Sequence, residues 1–106
     1  MNERGVEALV AAAMRGQPQG HGAYITAEGL CAFGVLAQAL GWSTTAEIDR
    51  SFVLLARAYE IDMQQPRICP ECGKETSSEG ILIVHLNDSH QFDWLTIARK
   101  LGPDAA

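Results

Sequence analysis

The chain is short of what several protein classes need. It has three cysteines, Cys31, Cys69 and Cys72, an odd and low count that does not suggest a disulfide framework. It has only 8 basic residues against 13 acidic ones, for a net charge of −5. That balance disfavours non-specific phosphate binding, which needs a positive field, though it leaves room for a small basic patch. No run approaches the roughly 20 apolar residues that span a bilayer. The N-terminus "MNERGVEALVAAAMRG" carries Glu3 and Glu7 and only a short apolar stretch, unlike a secretory leader. There is no internal repeat and no low-complexity tract. These absences point away from membranes and from export, and toward a reducing, cytoplasmic compartment.

What is present suits one compact domain. The 106 residues are 47% hydrophobic, an ordinary globular fraction, and enough chain for a core. The expected domain covers residues 1–106, with a helical part at 1–64 and a metal-binding part at 65–106. Residues 3–15 read as a helix, with Val6, Leu9, Val10, Ala13 and Met14 at helical spacing and Gly16 to end it. Residues 16–29, "GQPQGHGAYITAEG", are a glycine-rich loop in which "AYIT" can form a short extended piece. Residues 30–41, "LCAFGVLAQALG", are apolar nearly all round, so this helix is expected in the core or at an interface between copies. A capping box, Thr44 with Glu47, opens a helix expected to run to about Glu60, with Ile48, Phe52, Leu55 and Tyr59 as its stripe. "DMQQP" at 62–66 is the connector between the two parts. The last segment, "HQFDWLTIARKLGP", reads as a helix with Asp88 as N-cap and a stripe of Phe92, Leu95, Ala98 and Leu101. The expected class is mainly α: a helical N-terminal part, a C-terminal zinc-knuckle or ββα-like unit, and a final helix.

The chemistry concentrates in residues 68–90, "ICPECGKETSSEGILIVHLNDSH", with the spacing C-x2-C-x12-H-x4-H. A two-residue gap lets two thiolates converge from one tight turn, and histidines on a helical turn can complete a tetrahedral shell. The expected ligands are Cys69, Cys72, His85 and His90, holding one structural Zn2+. Pro70 and Gly73 make a knuckle, in which backbone N–H groups are expected to face sulfur, and no βαβ pattern surrounds it as a redox CxxC would require. His21 reads as a solvated loop histidine, and Cys31 as a small buried hydrophobe. Structural zinc sites contribute on the order of 10–16 kcal/mol. The unit has modest apolar content, so it is expected to need its metal to hold shape.

The metal spacing resembles that of Cys2His2 zinc fingers. In that family three helix positions read bases, and here they fall on Ser78, Ile81 and Val84. Branched apolar side chains cannot make the bidentate contacts that read guanine or adenine. The family's core aromatic is replaced by Thr76, while its leucine is kept as Leu82. The similarity is to the metal geometry, and "ILIV" is expected to pack inward.

A second resemblance covers most of the chain. Gln19-Gly20-His21-Gly22, the segment Leu30 to Leu36, and Leu86-Asn87-Asp88 followed by Phe92 or Trp94 and Ile97-Ala98 resemble recurrent features of small bacteriophage and prophage proteins. His85-Leu86-Asn87-Asp88-Ser89-His90, downstream of the CPxC, resembles a string in another group of short phage proteins. The resemblance implies a small accessory protein and implies no reaction. In this junction Leu86 is expected to pack inward, Asn87 to satisfy backbone groups, and Asp88 to cap the last helix.

Three function classes follow. The first is a non-enzymatic protein acting through protein–protein interaction, with a protein partner or as a homodimer joined partly through the 30–41 helix. The alternative is a nucleic-acid-binding zinc protein, which the net charge disfavours. The third is a ββα-metal nuclease using His85, Asn87 and His90. Against it, the usual aspartate–histidine pair is missing and both histidines are committed to zinc, whose four protein ligands leave no open position.

Overall fold

The computed structural model describes residues 1–103, and among these it is mainly helical. The elements are α1 (Glu3–Met14), α2 (Ala32–Ala39), α3 (Thr45–Arg50), α4 (Phe52–Ala58), β1 (Arg67–Ile68), β2 (Glu75–Thr76), α5 (Glu79–Asp88) and α6 (Trp94–Leu101). β1 and β2 pair antiparallel, Arg67 with Thr76 and Ile68 with Glu75. With α5 they form the expected ββα-like unit. No described helix is long and apolar enough to cross a membrane.

α1 starts where Asn2 accepts a hydrogen bond from the Gly5 N–H, and it buries Leu9 and Ala12 against α2 and α6. Met14, expected on the apolar stripe, is 80% exposed. α2 buries every residue from Ala32 to Ala37. The chain itself covers this stretch, which sits in the core, while Ala39 is exposed and Leu40 half-buried. Tyr59 fastens α4 to it, its buried hydroxyl donating to the Leu36 carbonyl at 2.6 Å. The capping box at Thr44 and Glu47 forms as expected. The helix it opens does not run unbroken to Glu60. Ser51 leaves helical geometry at φ −116° and ψ 21°, dividing the segment into α3 and α4. Ile48, Leu55 and Tyr59 reach the core, while Phe52 is half-buried and packs on Phe33.

The glycine-rich loop lies close against α2. A side chain at Gly34 would collide with the Tyr24 carbonyl, and one at Gly20 with Thr26. Both positions therefore need glycine for close approach rather than for backbone freedom. Short bridges join Leu30 to Gln19 and to Ile25, so part of the "AYIT" stretch is extended.

Asn87 ties this loop to the C-terminal part. Its Oδ1 accepts from Gln19 Nε2 at 2.9 Å and from the Ala32 N–H at 3.1 Å. Its Nδ2 donates to the Gly20 carbonyl at 3.0 Å and to Asp88 Oδ1 at 2.8 Å. The amide is thus saturated, as a residue 1% exposed requires. Cys31, the N-cap of α2, makes no side-chain capping bond, so Asn87 satisfies the Ala32 N–H from 55 residues away.

Asp88 does not cap the last helix; it is the final residue of α5. The cap is Asp93, whose carboxylate accepts from the Thr96 N–H at 2.8 Å. Those hydrogen bonds from Thr96 hold the Asp93 carboxyl below its ordinary range, against a small opposing effect of burial and with help from Arg99. The buried face of α6 shifts accordingly to Trp94, Ile97, Ala98 and Leu101, leaving Leu95 45% exposed.

Two substitutions test this account. Asp93→Ala should lower unfolding free energy by about 1 kcal/mol, the usual worth of an N-cap. Asn87→Ala should cost more, about 3 kcal/mol, because it strands buried backbone groups at two separate points. Urea denaturation followed by circular dichroism measures both. Equal losses from the two variants would contradict the junction assigned to Asn87.

Candidate metal centre

The four residues singled out in the sequence come together. One ligand atom from each of Cys69, Cys72, His85 and His90 lies within 4.8 Å of every other, close enough to hold a metal ion. Cys69 Sγ is 3.6 Å from His90 Nε2, and Cys72 Sγ is 3.4 Å from His85 Nε2. His21 and Cys31 lie outside the cluster.

Local structure explains each position. Between β1 and β2 the chain makes a tight turn, with Gly73 N–H donating to the Cys69 carbonyl at 2.9 Å and Cys69 N–H to the Lys74 carbonyl at 2.8 Å. These two amides bond carbonyls, where the sequence suggested N–H groups turned toward sulfur. Gly73 adopts φ +77°, a left-handed conformation that glycine takes without strain. Cys69 is buried and Cys72 exposed, so one thiol roots the turn in the core while the other faces solvent.

The histidines need a different device. They are five positions apart, and at about 100° per residue a continuous helix would aim them about 140° apart. They can converge only if the helix ends between them. α5 stops at Asp88, and the Ser89 and His90 N–H groups both return to the His85 carbonyl at 2.9 and 3.2 Å. Gln91 then takes φ +52°, a left-handed conformation uncommon outside glycine and asparagine. The Phe92 N–H closes the turn on the Leu86 carbonyl at 3.0 Å. This unwinding is the physical reason that Asp88 cannot begin the next helix.

Phe92 also supports the site. Its ring stacks on His90 at 5.3 Å, and Lys100 Nζ lies over the same ring, 5.5 Å from its centroid. The two histidine rings meet edge to face at 4.7 Å. Burial, then the neighbouring His90 and Lys74, push the His85 imidazole below its ordinary pKa. That favours the neutral ring, the form that ligates metal. Sequence spacing picked out the four residues that the fold gathers, but it gave no sign of the supporting roles of Gln91 and Phe92.

The "ILIV" segment is divided. Leu82 and Ile83 are fully buried, whereas Ile81 and Val84 are 44% and 37% exposed. Of the three positions that correspond to base-reading residues in zinc fingers, Ser78 is buried as the N-cap of α5, and the other two are these exposed aliphatics. No known family, curated protein or solved structure gives a significant match to this chain.

A metal held here should be lost on acidification. The depressed His85 pKa means that the folded state binds fewer protons than the unfolded chain. The stability it carries is therefore present above the ordinary histidine pKa and disappears as pH falls through and below it. Metal release has the same sign, because the thiolates and imidazoles must be deprotonated to ligate. A metallochromic indicator read between about pH 7 and pH 5 should show release on the acid side. Retention unchanged across that range would argue against these ligands.

Proposed function

We propose that the chain is a small phage- or prophage-type accessory protein, non-catalytic, in which one structural Zn2+ at Cys69, Cys72, His85 and His90 shapes a surface for a protein partner. One observation supports a tetrahedral zinc shell. For zinc bonds of about 2.3 Å to sulfur and about 2.0–2.1 Å to nitrogen, a tetrahedron has S···N edges of about 3.5 Å. The two S···N separations in the structure, 3.6 and 3.4 Å, fit that figure. Two thiolates with two imidazoles are a borderline-soft donor set that suits zinc and leaves no position open for substrate.

Further observations favour a binding role. The amide of Asn87, the remaining member of the nuclease-like trio, is fully engaged by Gln19, Gly20, Ala32 and Asp88. It has no donor or acceptor left for a phosphate. Around the metal end, Arg67 pairs with Glu79 and Lys100 with Glu71, which reduces the positive field a nucleic acid would meet. The zinc would act as a clamp, joining the β1–β2 knuckle to the turn after α5.

Elemental analysis of the purified protein tests this reading. The expected result is one zinc per chain, lost in Cys72→Ser. Hydrogen exchange should then rise in the knuckle and in the turn around His90, while α1 and α2 stay protected because their contacts do not involve the metal. Protein that folds fully and carries no zinc when freshly purified would remove the central claim.

A further inference from the structure

We propose that a groove beside the metal centre docks an arginine side chain of the partner protein. The inference rests on the interaction reading above and gives it a location and a chemistry. The groove, about 320 Å³, lies between the glycine-rich loop, the start of α2 and the second half of α5. That volume is at the small end of the roughly 300–1,000 Å³ seen for ligand sites. It suits one side chain rather than a folded element.

Its lining has two parts. Tyr24, Phe33 and Val84 supply aromatic and aliphatic wall, and Cys31, Asn87 and Asp88 supply the polar end. Cys31 is not the reactive feature, because burial pushes its thiol pKa up. The polar end is negative. Among the described residues that line the groove there is no lysine, arginine or histidine. Asp88 lines it directly, and Asp49 lies beside the Tyr24 hydroxyl. The whole chain carries a net charge of −5. A cation is the complementary guest.

The Asp88 carboxylate is also oriented. Its Oδ1 accepts from Asn87 Nδ2 at 2.8 Å, and Asn87 is itself fixed by three other hydrogen bonds. Oδ2 takes no hydrogen bond from the described chain. A held carboxylate with one oxygen to offer, at the end of an apolar wall, matches a guanidinium on an aliphatic stem. The stem can lie along Val84, the planar head can stack against Tyr24, and one N–H can reach Asp88. Lysine would suit it less, because its ammonium is a strongly hydrated point charge without a face to stack. Asp88 lies between His85 and His90 in sequence, so the turn that gathers the metal ligands also sets this carboxylate.

The test is a titration of the full-length, zinc-supplemented, 15N-labelled protein, followed by two-dimensional NMR. The probes are acetyl-Leu-Arg-Leu-amide and the same peptide with neutral citrulline in place of arginine. The arginine peptide should shift the resonances of Ala23, Tyr24, Ala32 and Asp88, with a Kd on the order of 1 mM. It should bind at least about fivefold tighter than the citrulline peptide, as expected for a charge-assisted bond. Asp88→Asn should abolish that preference, and Ala23→Trp, which crowds the apolar wall from an exposed loop position, should weaken both peptides. Equal binding of the two peptides, shifts confined to residues outside the groove, or no shift up to about 10 mM would each overturn the proposal. Zinc content is read on the same sample. Arginine preference in a zinc-free chain would remove the structural-zinc reading and leave the groove standing. Zinc without arginine preference would remove the groove and leave the metal clamp.

Discussion

With its amide buried among Gln19, Gly20, Ala32 and Asp88, the Asn87 side chain joins the end of α5 to two neighbouring segments 55 to 68 positions earlier in the chain. The loop before α2, the first turn of α2 and the end of α5 all meet on it. Gln19 extends the junction, because the same Nε2 also reaches the Phe92 carbonyl at 2.8 Å. A buried amide is costly unless every donor and acceptor is matched, so the network holds one arrangement and penalises others. The His85–His90 turn depends on that arrangement. Where Asn87 sits determines where α5 stops, and where α5 stops determines whether two histidines five positions apart can face one point.

This placement separates the metal unit from an autonomous finger. A free finger has little core beyond its own helix and strands. Here Leu82, Ile83 and Leu86 are fully buried in a core shared with Leu9, Phe33, Leu36 and Ile97. The helix is therefore held by hydrophobic burial on one side. The β1–β2 knuckle is different. Arg67, Ile68, Glu71 and Cys72 are exposed, and Cys69 is its main buried anchor. The two halves of the metal unit thus differ in what holds them, and metal would matter most to the half without a core.

Much of this was legible in the sequence. Cysteine and histidine spacing located the four residues of the candidate site, because ligand geometry restricts spacing more tightly than almost any other constraint. Helical periodicity located α1, α2 and α6, and the Thr44–Glu47 box located the start of α3. The misses share a cause. Asp88 and Asp93 are equally good local caps, and only the requirement that α5 unwind after His85 decides between them. The break at Ser51 has no glycine or proline to announce it. The cap of α2 comes from a residue 55 positions away, which no local pattern can reveal.

The same tertiary logic bears on what the surface can do. Reading bases through α5 would need polar side chains at the exposed positions of its outer face, and these are Ile81 and Val84. If all four gathered residues bind one ion, its tetrahedral shell is closed, and the saturated Asn87 amide adds no free group beside it. What remains accessible is an aliphatic edge running from α5 into a groove with one oriented carboxylate. Apolar wall plus a fixed charge is the combination that the proposed recognition role needs, because burial supplies affinity and the charge supplies selectivity. A metal bound by the four residues would add rigidity to that surface, transmitted through the single turn that carries His85, Asp88 and His90.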